Sequence, residues 1–322
     1  MPVPPAERAV AGRLLTPAPG HRGGVRAMSR PFATVGVDID PVDLHLHGYS
    51  YRSRPPDPLV YSHAVPRLLD LFGRCGVQAT LFVVARDATA HADTLAEVVD
   101  AGHEIASHSL THPMGLASMS PEALRREFSE SRWLLEQTTG APVVGFRSPQ
   151  FDMGPRALEL LAEAGYAYDA SSCPTPMLVS TRIAMLMKPR SSLAALRLKW
   201  LPFSWKRSPH RLSTGPRSMH EFPLSVTPID RTPLHHALRY RITDARFDRL
   251  LAGFARRGEP ISYLLHAVDV LGLEEDRVDR RLDGYSGMSR PLAGKLALLE
   301  RTLSAIAARF ETRPFRDRLV VD

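Results

Sequence analysis

His108 and His112 stand four residues apart in the stretch SHSLTHPMG (107–115), with Pro113 directly behind them. That spacing predicts two imidazoles on one face of a single helical turn, where both can reach one ion at about 2.0–2.1 Å, and Pro113 keeps the turn from running on. A chain with 13 histidines also produces such a pair by chance, so its meaning depends on its surroundings. Asp38 and Asp40 close the apolar run FATVGVDID (32–40). Side chains on a strand alternate with period two, so both carboxylates face the same way, and one can bind an ion while the other takes a proton. Taken alone, they read equally well as a capping pair at a strand end. Arg147 ends the run PVVGFRS (142–148), where a buried guanidinium needs an anionic partner. His266 in YLLHAV (263–268) reads by itself as a core histidine, and Asp169 as a turn residue.

The elements that must carry these residues alternate. Strand-like runs at 32–40, 77–85, 103–108, 142–148, 166–170, 219–226 and 260–268 are separated by helical patterns at 60–76, 91–101, 121–139, 155–165, 244–257 and 290–310, and RLVVD (318–322) reads as a last strand. Repeated strand and helix units predict parallel strands with right-handed crossovers, hence an α/β barrel or a doubly wound sheet. In such folds chemistry gathers where strands end. Asp38, Asp40, His108, His112, Arg147, Asp169 and His266 all lie at or just after a predicted strand end, and so belong on one rim.

Bulk composition allows this. With 322 residues, 44% of them hydrophobic and 23% charged, the chain is long enough to bury one large core. Cys75 and Cys173 are far apart in sequence, so both are expected to be free thiols in a reducing compartment. No apolar run reaches the roughly 18 residues that span a bilayer, and residues 1–31 are rich in Pro and Arg without an apolar leader core, which reads as a disordered arm before a domain at 32–322. A cytoplasmic protein is expected, at most peripheral at the inner membrane face. The net charge of +7 has a local origin. Between Asp169 and Glu221 there is no acidic residue, whereas Arg182, Lys188, Arg190, Arg197, Lys199, Lys206, Arg207, Arg211 and Arg217 all fall there. Trp200, Phe203 and Trp205 lie among these charges, so the insertion at about 175–218 suits an anionic membrane surface or lipid phosphate, or else an exposed lid. No recognised nucleic-acid-binding motif accompanies the charge, and no nucleic acid is expected as a partner.

In chain order, Asp38-x-Asp40, His108-Ser109-x-x-His112-Pro113, Arg147-x-Pro149, Asp169 and Leu265-His266 resemble the five motifs of the polysaccharide deacetylases, also called carbohydrate esterase family four or the NodB homology domain. The resemblance covers about residues 32–321, and the H-S-x-x-H-P element is its most specific part. It implies a distorted (β/α)7 barrel and removal of N-acyl groups from sugars with a divalent metal, commonly zinc. It also implies Asp40, His108 and His112 as ligands, Asp38 as base, Arg147 orienting Asp38, His266 as acid and Asp169 tuning His266. Two adjacent aspartates are usual in the first motif, whereas Ile39 intervenes here. GVDID, HAVPRLLDLFGRCGVQATLFVV, YDASSCP and YLLHAVD are similar to the branch that deformylates 4-formamido-arabinose on undecaprenyl phosphate, which implies a formyl group and a lipid-linked sugar. Three protein ligands on one ion would leave positions where water is activated and a carbonyl polarised. His266, kept cationic by a nearby carboxylate, would then protonate the departing nitrogen. The expected activity is therefore metal-dependent N-deacylation of an amino sugar. Rivals are hydrolysis of a non-sugar amide, such as an allantoin-like or natural-product N-acyl compound, and a non-catalytic sugar- or lipid-binding module.

Overall fold

The structure, a computed structural model, describes residues 30–48, 58–186, 198–199, 201–215 and 217–319. The proposed arm up to residue 29, together with Lys188, Arg190, Arg197 and Trp200 of the basic segment, lies outside the described residues.

Strand β1 (Phe32–Ile39) is buried along nearly its whole length, as expected of a parallel strand covered on both faces. It is flanked by β2 (Ala79–Val83) and β8 (Ile261–His266), both parallel to it. The sheet continues through β3 (Glu104–Ser107), β4 (Gly145–Phe146), β5 (Tyr168–Asp169) and β7 (Arg217–Glu221), so seven parallel strands follow the order β7-β5-β4-β3-β2-β1-β8. Backbone hydrogen bonds span the gap between β7 and β8. Ser225 N–H donates to Ser262 at 3.2 Å, Leu234 N–H to Ser225 at 2.7 Å, and Leu264 N–H to Leu234 at 3.0 Å. The result is a distorted (β/α)7 barrel.

Helices α1 (Val42–Gly48), α2 (Val65–Cys75), α3 (Ala92–Asp100), α4 (Pro121–Thr139), α5 (Pro155–Glu163), α6 (Met177–Leu186), α7 (Asp244–Arg256) and α8 (Leu292–Arg309) follow the strands. Their limits are written in the sequence. Helix α4 starts where Ser120 accepts the Ala123 N–H with Pro121 just inside, and ends at Gly140, whose φ of 67° few other residues tolerate. Leu68, Phe72, Leu95, Phe128, Leu135, Leu251, Leu299 and Ile306 turn from these helices onto the strands and form one continuous core.

Three expectations change. Strand β6 (His210–Thr214) pairs antiparallel with β7 as a hairpin, so the basic insertion ends in sheet structure, and the strand expected at 219–226 begins at Arg217 and stops at Glu221. The strand expected at RLVVD falls mostly on residues 320–322, outside the described residues. Among the described residues the chain returns to the sheet as β9 (Glu311–Thr312), which pairs with Phe32 and Ala33, and residues 315–318 form a 3-10 turn. Helix α1, unforeseen in the sequence, follows β1 directly and brings His45 to the rim. Among the described residues no helix is long and apolar enough to cross a membrane, and Cys75 and Cys173 are free.

Candidate active site

The C-terminal ends of β1, β3, β4 and β8 bring six of the seven expected residues into one buried cluster. Asp38 is the Cα partner of His266 across the β1–β8 pair, and Asp40 follows β1 by one residue. Ile39 between them turns into the core, so both carboxylates face the cluster. Oδ2 of Asp38 lies 3.8 Å and Oδ2 of Asp40 3.9 Å from Nε2 of His266. Nε2 of His108 stands 3.3 Å and Nε2 of His112 3.7 Å from Oδ1 of Asp40.

His108 and His112 do not share a helical turn. Ser109 and His112 adopt φ of 67° and 58°, left-handed values that L residues with side chains occupy at a cost of about 1–2 kcal/mol each. The bend is held by Glu127 of α4, whose Oε2 accepts the N–H of Leu110 at 2.9 Å and of Thr111 at 3.0 Å, while Oε1 accepts the Thr111 hydroxyl at 2.6 Å. Ser109 Oγ accepts the His112 N–H at 2.9 Å. Side-chain acceptors replace the helical hydrogen bonds, and that is what lets the loop depart from the helix that the spacing predicts.

Three ligand atoms, one each from Asp40, His108 and His112, lie within 4.8 Å of one another and are buried. The donor set fits a divalent ion. Nδ1–H of His108 donates to the Arg147 carbonyl at 2.7 Å, which leaves the Nε2 lone pair for the cluster. Oδ1 of Asp40 is buried without a hydrogen-bond partner. Burial drives His112 well below the usual imidazole value and so holds it in the neutral form that binds metals. Burial, opposed by His108 and reinforced by the Asp38 charge, raises Asp40 to about 7. A bound cation would reverse that shift.

Asp38 behaves in the opposite way. Burial alone would raise its carboxyl, but Arg147, aided by His108 and His266, brings it down to about 2. Nη1 of Arg147 donates to Oδ1 of Asp38 at 2.7 Å, its Nε to the Ala170 carbonyl at 3.2 Å, and its guanidinium covers the Phe82 ring at 3.9 Å. Room for this comes from Gly36, where a Cβ would stand 2.7 Å from Nη2 and 2.8 Å from Nη1. Arg147 is fully buried and cannot swing away. Gly36→Ala is therefore expected to cost about 1–3 kcal/mol of stability and to lower kcat more than it raises KM, because the guanidinium is pushed off Asp38. Thermal unfolding with steady-state kinetics checks this, and unchanged kcat would show that Arg147 does not set the Asp38 geometry.

Among the described residues Asp169 shows no contact with His266. It pairs in register with Glu221 of β7 and accepts the Ser171 hydroxyl, and burial raises it to about 6, while burial reinforced by the neighbouring Asp169 charge pushes Glu221 well above its usual value. The group on Nδ1 of His266 is instead His235 Nε2, at 3.0 Å. Nδ1 of His266 thus faces an imidazole and not a carboxylate, and burial drives His266 well below the usual value.

Three residues escaped the sequence reading. His45 puts Nε2, buried and without a hydrogen-bond partner, 4.0 Å from Oδ2 of Asp40. Tyr285 stands edge-on to His45 with ring centres 5.3 Å apart, and His235 backs His266. The repeated histidines of DLHLHG (43–48), just past the Asp40 strand end, are the one signal that would have drawn attention to His45.

Residues 56–168, which include His108, His112 and Arg147, match the family model described as polysaccharide deacetylase. That stretch is thus similar to a polysaccharide deacetylase domain. The peptidoglycan deacetylase of Helicobacter pylori is 30% identical to it over 142 residues, 42% of this chain and 47% of that protein. The chain thus spans about half the length of that curated relative. Two solved structures share the fold. An allantoinase named PuuE has a TM-score of 0.59 at 18% identity, with 90% of each chain covered. The "probable polysaccharide deacetylase" of Pseudomonas aeruginosa PAO1 has a TM-score of 0.58 at 18% identity, with 89% of each chain covered.

Proposed function

We propose that this chain is a metal-dependent hydrolase that removes an N-acetyl or N-formyl group from an amino sugar. The observation that carries the reading is the convergence of Asp40, His108 and His112 beside a carboxylate, Asp38, whose other oxygen is already taken by Arg147. A divalent ion held by the three ligands, zinc by the preference of a mixed nitrogen and oxygen donor set, would supply Lewis acidity for the amide carbonyl and for water. Asp38 is the base. Arg147 occupies Oδ1 and keeps the carboxylate ionised, leaving Oδ2 to take a proton. The departing nitrogen must gain a proton, since an amine does not leave as an anion. Asp38 and His266, 3.8 Å apart, are the groups placed to manage that step. Incubation with an N-acetylated glucosamine oligomer, a formamido sugar and allantoin, followed by measurement of released acetate, formate and allantoate, tests the reading. Hydrolysis of allantoin alone would overturn the sugar assignment.

The sugar is further proposed to be lipid-linked, and the support is local. Leu201, Trp205 and Ile229 are 59%, 45% and 97% exposed, with Lys206 and Arg207 exposed beside them. Apolar groups among cations suit the headgroup level of an anionic membrane. Not all the basic residues serve this. Arg182 is buried, with Nη2 donating to the Gln150 carbonyl at 2.6 Å, and Arg217 donates to the Ala162 carbonyl. The protein is expected to co-sediment with anionic and not neutral liposomes at low salt. Lys206→Glu with Arg207→Glu should weaken this by on the order of tenfold or more, at about 1 kcal/mol per basic residue. Indifference of the wild-type chain to anionic vesicles would rule the membrane contact out.

A further inference from the structure

His235 is given no part by the reaction above, yet it holds the far side of His266. The backbone N–H of Ala237 donates to Nδ1 of His235 at 3.0 Å. A backbone amide can only donate, so this nitrogen is unprotonated and the His235 proton sits on Nε2. Nε2 lies 3.0 Å from Nδ1 of His266, which must therefore accept. His266 then carries its own proton on Nε2. The other end of the ring asks for the same arrangement. Nε2 of His266 faces Oδ2 of both Asp38 and Asp40 at 3.8 and 3.9 Å, where a lone pair would be repelled and an N–H attracted. His235 is itself fixed by the backbone, because it bridges to Leu264 of β8 and the Leu264 N–H donates to Leu234 at 3.0 Å.

We propose that His235 is a positioning residue that fixes His266 as its Nε2–H tautomer, so that His266 meets the substrate as a hydrogen-bond donor and not as the source of the transferred proton. The tautomer is a property of the chain, whereas its catalytic consequence rests on the hydrolase reading. Surrender of the Nε2 proton would leave an imidazolate, since the group behind His235 is the Ala237 backbone amide, which does not give up its proton. The proton therefore follows a closed path. One O–H of water breaks as Asp38 Oδ2 takes the proton, the water oxygen bonds to the acyl carbon, and the C–N bond breaks as Asp38 returns that proton to nitrogen. His266 keeps its proton throughout and holds the charge that develops during the reaction.

Nitrogen-15 NMR of the full chain labelled at histidine, at pH 7 with and without added Zn2+, reads the tautomer without any turnover. The His266 resonances are identified by their loss in His266→Gln. The expected pattern is a protonated Nε2 and an unprotonated Nδ1. His235→Gln, whose amide N–H lies where Nε2–H lay, should keep that pattern. His235→Glu, which offers an acceptor there, should move the proton to Nδ1. In turnover, His235→Glu should lower kcat by about 10²-fold with little change in KM, the usual effect of losing one charge-stabilising donor, and His235→Gln should lose far less. His266→Gln should be about tenfold or more as active as His266→Ala. A His266 protonated on Nδ1 or on both nitrogens in the wild type overturns the tautomer. The expected spectra with His266→Gln as inactive as His266→Ala overturn the donor role. The expected spectra with no hydrolysis of any acyl substrate overturn the hydrolase reading and leave the tautomer standing.

Discussion

Asp38→Asn is expected to remove nearly all turnover, by about 10²–10⁴-fold, while metal content stays at the native level. Asparagine keeps the shape of the side chain and an oxygen for Arg147 Nη1, but it cannot take a proton from water. Since Asp38 is outside the Asp40, His108 and His112 triad, elemental analysis separates loss of the base from loss of the ion. The same change reports on stability. The folded carboxyl sits at about 2 against an ordinary 3.8, so its contribution is complete above pH 4 and disappears as pH falls toward 2. That contribution is about 2 kcal/mol. Asp38→Asn should therefore lower stability at neutral pH and flatten the acid limb of the stability curve between pH 4 and 2. Native turnover in this variant would remove Asp38 from the mechanism.

His108→Ala should empty the metal site. One divalent ion per chain is expected in the wild-type protein, and less than about a tenth of that in the variant, because a neutral nitrogen ligand and its brace on the Arg147 carbonyl are lost together. Full occupancy would show that the ligands lie elsewhere. Affinity should also follow pH. Without a cation Asp40 holds its proton up to about 7, and the ion must displace it. Binding is thus expected to strengthen from pH 6 toward 8, with up to about one proton released per ion near pH 6. In metal-free protein the raised Asp40 value favours folding below pH 4, an effect lost as pH rises through 7. Added zinc should accordingly raise the unfolding temperature more at pH 8 than at pH 6.

Much of the candidate site was legible because β-strands announce their own ends. Period two places Asp38 and Asp40 together, and apolar runs that stop at Ser107, Phe146 and His266 mark where polar groups collect. What escaped lies where the backbone follows no period. His45 rides on α1 and His235 on an irregular segment that closes the barrel, positions set by tertiary contacts and not by local pattern. The His108–His112 loop looked helical because spacing alone cannot reveal that Glu127 holds it in another conformation. The Asp169–Glu221 pair was illegible for a related reason. It arises from the register of the parallel β5–β7 pair, which the period-two pattern of either strand does not specify.

Strand β1 lies between β2 and β8, and its pairing with β8 joins Asp38 to His266, more than two hundred positions later in the chain. During synthesis at about 5–20 residues per second, β1 can pair with β2 early, yet its other edge waits roughly 10–50 s for β8 to emerge. Through that interval a nearly all-apolar strand shows an unpaired edge to solvent or to a neighbouring nascent chain, a ready template for aggregation. Asp40, His108 and His112 are all made well before residue 261, so a cation captured by the growing chain would tie β1 to the loop after β3 while that edge is still open. Metal supply during translation would then govern the yield of folded protein, and not only the activity of what has already folded.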